Sequence, residues 1–218
     1  MTQSAFKEDH APPLNCALCP RLVSLRHDLR RTHPDWHNGP VPSFGAPIPH
    51  LLIVGLAPGR KGANRTGRPF TGDDAGILLY NTLLTHGFAH GTYEENPNDG
   101  LTLDECLITN AVRCLPPDNK PVAAEINRCR PFLTDLIFSL PDLRAILVLG
   151  HVAHNSVLSA LNLRRSRFPF SHGGQHDVLP TVKLFNSYHC SRYNTNTGRL
   201  TEAMFNDVFS SIRQYLNK

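Results

Sequence analysis

The chain has 218 residues, a formal charge of +4 and a pI near 8.8, long enough to bury a full core as one domain and too mildly basic to require a nucleic-acid partner. Its best apolar runs, Leu51–Leu56 and Ala145–Leu149, are of strand length, far short of the roughly 18 residues of a membrane helix, and no apolar secretory segment follows Met1. Six cysteines in a chain this long do not make a secreted disulfide scaffold, so a soluble protein of the reducing cytoplasm is expected, with no membrane partner.

Residues 1–13, closed by Pro12 and Pro13, read as a flexible leader, and 14–218 as a single domain. Leu18, Leu22, Leu25 and Leu29 recur at helical spacing. Residues 34–49 are loop. Leu51–Val54 is a buried strand running into the breakers Gly55 and Pro58, and a helix from about Asp73 to Thr85 follows, using Ile77, Tyr80 and Leu84. After a polar loop at 87–100, Cys106–Thr109 is a second strand. Pro121 then opens a helix with Val122, Ile126, Cys129, Leu133 and Leu136 on its apolar face. Ala145–Leu149 and Thr181–Phe185 are further strands, His151–Leu161 is a helix, and Leu200, Met204, Val208, Ile212 and Leu216 line a last one. Strands alternating with helices predict a three-layer α/β/α sandwich around a four-stranded parallel sheet, with ligands bound beyond the strand C-termini.

Residues that carry chemistry gather at those ends. Gly55–Gly62 (GLAPGRKG) is glycine-rich after a strand but matches neither the P-loop nor the dinucleotide fingerprint. Arg60, Lys61, Arg65 and Arg68 crowd the same stretch, and Arg192 and Arg199 flank a polar segment near the C-terminus. Four cysteines, Cys16 and Cys19 as C-x2-C, then Cys114 and Cys129 as C-x14-C, have metal-ligand spacing. Structural zinc and iron–sulfur clusters both use four thiolates, so spacing leaves the metal open. Cys106, inside a strand, reads as a core residue.

Continued through Asn64–Asp74 (NRTGRPFTGDD), the glycine-rich stretch resembles the first active-site motif of the type 5 branch of the uracil-DNA glycosylase superfamily. Ile108–Cys114 (ITNAVRC) and His189–Thr201 (HCSRYNTNTGRLT) are similar to two further motifs, and with the cysteines the match runs from Cys16 to about Phe209. Cys190 departs from the family pattern, which has proline after the histidine. The resemblance implies a uracil-DNA glycosylase-like fold, a [4Fe-4S] cluster on Cys16, Cys19, Cys114 and Cys129, and DNA containing uracil or another damaged base as partner. It also implies a broader base range, with hypoxanthine or ethenocytosine as candidates, and hydrolysis with no lyase step; a monomer is expected.

Each residue so implicated has a plainer reading. Phe70 is a core phenylalanine or the platform on which a flipped base stacks. Asn110 is a turn cap or the amide that pairs with the base edge. His189 is a satisfied buried histidine or, by the resemblance, the donor to the base oxygen where charge develops. Asp73 is a helix N-cap, a group that orients water or stabilises a cationic sugar, or both, with Asp74 as the neighbouring alternative. Gly55 and Ala57 are expected to border the base. Arg65, Arg68, Arg192 and Arg199 are expected on phosphates, with Tyr193 and Asn194 as the wedge that fills the vacated stack. The rival reading is a non-catalytic iron–sulfur DNA-binding or damage-sensing protein, because Leu56-Ala57 lacks the polar water-positioning residue of other branches; a second rival is a cysteine-ligated zinc protein.

Overall fold

The computed structural model describes residues 8, 9 and 11–217. In chain order it contains α1 (Pro20–Thr32), β1 (Phe44–Gly45), β2 (Leu51–Gly55), α2 (Ala63–Thr66), α3 (Asp74–Thr85), β3 (Ala89–His90), β4 (Thr102–Leu103) and β5 (Cys106–Asn110). There follow α4 (Ala123–Phe138), β6 (Ala145–Leu149), α5 (His151–Ala160), β7 (Gln175–Leu179), β8 (Val182–Ser187), α6 (Arg192–Asn196) and α7 (Glu202–Leu216). One sheet has six strands in the order β1-β5-β2-β6-β8-β7. Its four central strands are parallel, as expected, and antiparallel β1 and β7 extend the two edges.

The parallel strands are apolar because both faces are covered, and alternate side chains divide between two cores. Leu51, Ile53, Ile108, Leu147 and Phe185 pack with α3 and α7. Leu52, Val54, Leu107, Ile146, Val148 and Leu184 pack with α4 and α5. A third, smaller cluster joins Leu22 of α1 to Val112, Cys129, Cys19, Cys114 and Ala57. Glu125, in the first turn of α4, accepts from Val122 N at 2.9 Å and from Arg21 Nε and Nη2, both at 2.8 Å, so that α1 is held to the start of α4.

Several sequence expectations shift. The edge strands were hidden because a strand paired on one side needs no dense apolar run; β7 alternates exposed and covered positions instead. Loop 87–100 carries β3 and returns to β4 as a small antiparallel pair. Ile77 and Val122 face outward, and Leu79, Leu83 and Glu125 take the buried positions. Of the expected leader, residues 1–7 and 10 lie outside the described residues, whereas Glu8 is held: its carboxylate accepts from Arg113 Nη1 and Nη2 at 2.9 and 2.6 Å and from Ser43 N at 3.1 Å. No helix among the described residues is long and apolar enough to cross a membrane.

Candidate active site

From β2 the chain turns to β5 on one side and then crosses to β6 on the other, so the strand order reverses beside the C-terminal end of β2, where open parallel sheets hold ligands. A cleft of about 740 Å³ opens there. Its walls include Ala57, Phe70, Asp73, Asn110, Gly150, Tyr188 and His189, with Arg192, Tyr193 and Arg199 among the residues towards its rim.

Gly55 and Asn110 end β2 and β5 in register. Asn110 is 4% exposed, and its Oδ1 is buried without a hydrogen-bond partner. An orphaned buried acceptor costs about 1–3 kcal/mol, a penalty that a ligand N–H would relieve. A Cβ on Gly55 would overlap that oxygen and stand 2.6 Å from Phe70 Cζ, so the absent side chain is what leaves room between amide and ring. Phe70 has φ +52, a left-handed conformation strained for a bulky residue and found mainly at functional positions. Its ring lies 5.9 Å from that of His189, tilted by 30°.

His189 follows β8, and among the described residues no carboxylate pairs with it to hold a proton on the ring. Burial alone lowers its pKa to about 4, and its Nδ1 is buried without a partner, so the ring is neutral at physiological pH. Its backbone is fixed by Asn194, whose Nδ2 donates to His189 O at 2.8 Å. Asp73 is both cap and cleft wall: Oδ1 accepts from Gly76 N at 3.2 Å, while Cβ atoms on Gly62 or Gly59 would run into or crowd Oδ2. Burial raises the Asp73 pKa above its usual value, opposed by the backbone N–H of Gly76 and helped by the Asp74 charge. Cys190, where the family has proline, is a buried free thiol in the α3/α7 core. The cleft thus sets an amide, an aromatic face, a neutral imidazole and a carboxylate around one space, without a polar side chain from Leu56 or Ala57.

The basic residues separate into two groups. Arg192 and Arg199 are exposed at the cleft, Arg192 standing 3.8 Å from Asp74 and the Arg199 guanidinium 4.6 Å over the Tyr188 ring. Tyr193 is 73% exposed. Arg68 requires a correction. It is 4% exposed, its Nη1 and Nη2 donate to the Asp99 carboxylate at 2.8 and 2.7 Å, and it cannot reach a phosphate. Asn194 is likewise buried and holds the His189 backbone rather than projecting as a wedge. Arg65 is exposed but borders a separate depression with Trp36, Glu94 and Glu95. Sequence reasoning missed Phe170 and Lys120 in the cleft wall and assigned no role to Tyr188 there. Tyr188 adjoins the motif histidine, and the Pro116-Pro117-Asp118-Asn119 run before Lys120 signals a tight turn; these were the available cues.

Cys16, Cys19, Cys114 and Cys129 are free and line one small cavity with Leu22, Arg26 and Phe132. Arg113 N donates to Cys129 Sγ at 3.4 Å. Arg26 Nη2 donates to Cys16 O at 2.9 Å, while its buried Nε and Nη1 lack partners, leaving an uncompensated guanidinium beside the thiols. Among the described residues no three His, Cys, Asp or Glu side chains are disposed to hold a single ion.

A mostly parallel α/β sandwich with a cleft at the strand switch, lined by amide, aromatic and imidazole groups and rimmed by arginines, defines an α/β protein whose cleft suits a planar polar ring. Residues 42–213 match the model of the uracil DNA glycosylase superfamily, and the chain belongs to that family. It is 42% identical over 205 residues to the type-5 uracil-DNA glycosylase of Thermus thermophilus, covering 91% of this chain and 93% of that protein. The type-5 enzyme of Mycobacterium leprae is 41% identical over 207 residues, covering 91% and 90%. A type-4 uracil-DNA glycosylase of Sulfurisphaera tokodaii is 30% identical over 174 residues, covering 77% and 72%.

Proposed function

We propose that this chain is a DNA glycosylase that hydrolyses the N-glycosidic bond of uracil in DNA and leaves an abasic site for base excision repair. The observation that carries this reading is the Asn110 amide, orphaned at Oδ1 and facing the space that Gly55 keeps open beside the Phe70 ring. Uracil presents a ring N–H between two carbonyl oxygens, which an amide can pair with while a ring covers the base face. Base departure builds negative charge on the uracil oxygens and positive charge on the sugar. Neutral His189 donates to the first, and Asp73 stabilises the second or orients water. The reaction is read as hydrolysis without a lyase step, and Lys120, an amine in the cleft lining, is the residue whose substitution tests that reading. The protein acts as a monomer in the cytoplasm, and the four cysteines carry a structural [4Fe-4S] cluster, a reading supported by four free thiols around one cavity beside the orphaned Arg26 guanidinium.

The relatives named above are glycosylases, which favours catalysis over a damage sensor that has lost hydrolysis. Single-turnover cleavage of a uracil-containing oligonucleotide, read by alkaline strand scission, tests it. Asn110→Ala should cut excision at least about 100-fold with undamaged-duplex affinity nearly unchanged. Equal losses of binding and excision would make Asn110 structural, and an inactive wild-type protein would overturn the proposal. Hypoxanthine and ethenocytosine substrates in the same assay define the base range.

A further inference from the structure

Four anchors converge on the segment that presents Phe70. Tyr80 Oη donates to Pro69 O at 2.6 Å, Tyr93 Oη to Phe70 O at 3.0 Å, Thr66 Oγ1 to Thr71 O at 3.1 Å, and Arg68 Nε to Thr71 Oγ1 at 2.7 Å. Only one of these touches Phe70 itself, and it comes from the loop between β3 and β4, outside the cleft lining. That loop is built to hold Tyr93 in place. Its Asp99 carboxylate is paired with Arg68 and accepts from Glu94 N and Leu101 N at 3.0 and 3.1 Å, and the Tyr93 ring stacks on Tyr80 at 4.5 Å. On the far side, α3 supplies Gly76. A Cβ there would overlap both Phe70 O and Tyr93 Oη, so this helix position is emptied to let the hydroxyl reach the carbonyl.

We propose that Tyr93 is a positioning residue for uracil excision, its hydroxyl locking the left-handed Phe70 backbone so that the ring stays fixed as the platform for the flipped base. A strained backbone persists only where its surroundings over-determine it, and among the described residues Tyr93 supplies the hydrogen bond that reaches Phe70 itself. Burial raises the Tyr93 pKa, so the hydroxyl stays protonated and available as a donor. The proposal rests on the reading of Phe70 as a stacking platform.

Tyr93→Phe keeps the ring and its packing and removes only the donor. The experiment measures inhibition by free uracil, single-turnover excision and undamaged-duplex affinity for wild type, Tyr93→Phe, Phe70→Ala and the double variant. Tyr93→Phe should raise the inhibition constant of uracil and slow excision by about five- to tenfold each, the effect of one lost hydrogen bond, with duplex affinity unchanged. In the Phe70→Ala background the same substitution should add nothing, since residues acting through one another are not additive. Wild-type behaviour of Tyr93→Phe beside an impaired Phe70→Ala would overturn the proposal, as would an undiminished Tyr93 effect on the Phe70→Ala background. A Phe70→Ala variant that binds and excises uracil normally would instead remove the platform reading on which it rests.

Discussion

Gly55 and Asn110 sit side by side at the ends of neighbouring parallel strands, and the missing side chain of the one is the space in front of the amide of the other. The sheet register therefore defines the floor of the cleft. Gly55→Ala needs no unusual backbone, because Gly55 lies in regular strand, yet its methyl would overlap Asn110 Oδ1 and press on Phe70. Excision should fall at least about 100-fold, as when one preorganised group is lost, while undamaged-duplex affinity stays within twofold to threefold. Near-normal excision by Gly55→Ala would place the base elsewhere in the cleft.

His189 gives a pH signature. Its ring should be neutral from pH 9 down to about 5, so the excision profile should lack an inflection near the ordinary histidine value and fall only towards about 4. Stability should follow the same group. Between about 6.5 and 4 the unfolded chain binds a proton that the folded one refuses, so stability falls as pH drops through that window, by up to about 2 kcal/mol at pH 5. Denaturant melts of wild type and His189→Gln at pH 7 and pH 5, with an NMR titration of the ring, check both. A ring that titrates near 6.5 in the folded protein would refute the account.

The parts of this site that were legible in the sequence are those written locally. Apolar runs ending at Gly55, Asn110 and Leu149 mark strand ends, and a parallel sheet brings strand ends together at one edge. Arg68 was misread because its charge is answered by Asp99, 31 residues away in a loop without periodicity. Asn194 looked like loop surface, but one hydrogen bond to the carbonyl of His189 turns it inward. The edge strands β1 and β7 escaped because their pairing is one-sided.

Arg192 and Tyr193 share one short helix at the cleft but should fail differently. If Arg192 grips a phosphate as proposed, Arg192→Ala should lower affinity for every sequence and shrink the salt-dependence slope by about 0.9. Its pairing with Asp74, at 3.8 Å between exposed groups, is too weak to compete with DNA. Tyr193→Ala should slow excision from duplex more than from single-stranded DNA, because a wedge matters only where a stack must be held open. Equal slowing on both substrates would make Tyr193 part of the base site rather than a wedge.

The cysteine set predicts colour. Four thiolates holding a [4Fe-4S] cluster should give a yellow-brown protein with a broad band near about 400 nm, bleached by Cys16→Ala or Cys114→Ala. Cys106→Ala should leave it intact, since Cys106 is buried in β5 within the α3/α7 core. Stoichiometric zinc without iron would reject the assignment.

Asp73 caps α3 and also lines the cleft, and substitution can separate the cap from the proposed catalytic role. As N-cap of α3 it accepts from Gly76 N, a task asparagine performs about as well as aspartate. As a cleft carboxylate it offers a charge, which asparagine does not. Asp73→Asn should therefore keep the melting temperature within a few degrees and slow single-turnover excision by at least about 100-fold. Asp73→Ala should show the same slowing plus about 0.5–2 kcal/mol of destabilisation from the lost cap. The raised pKa adds a further mark: the charged form is lost on the acid side at a higher pH than for an ordinary aspartate, so part of the acid decline of the excision profile should vanish in Asp73→Asn. If Asp73→Asn excises uracil at nearly the wild-type rate, Asp73 is a cap alone, and stabilisation of the sugar cation falls to the DNA phosphates.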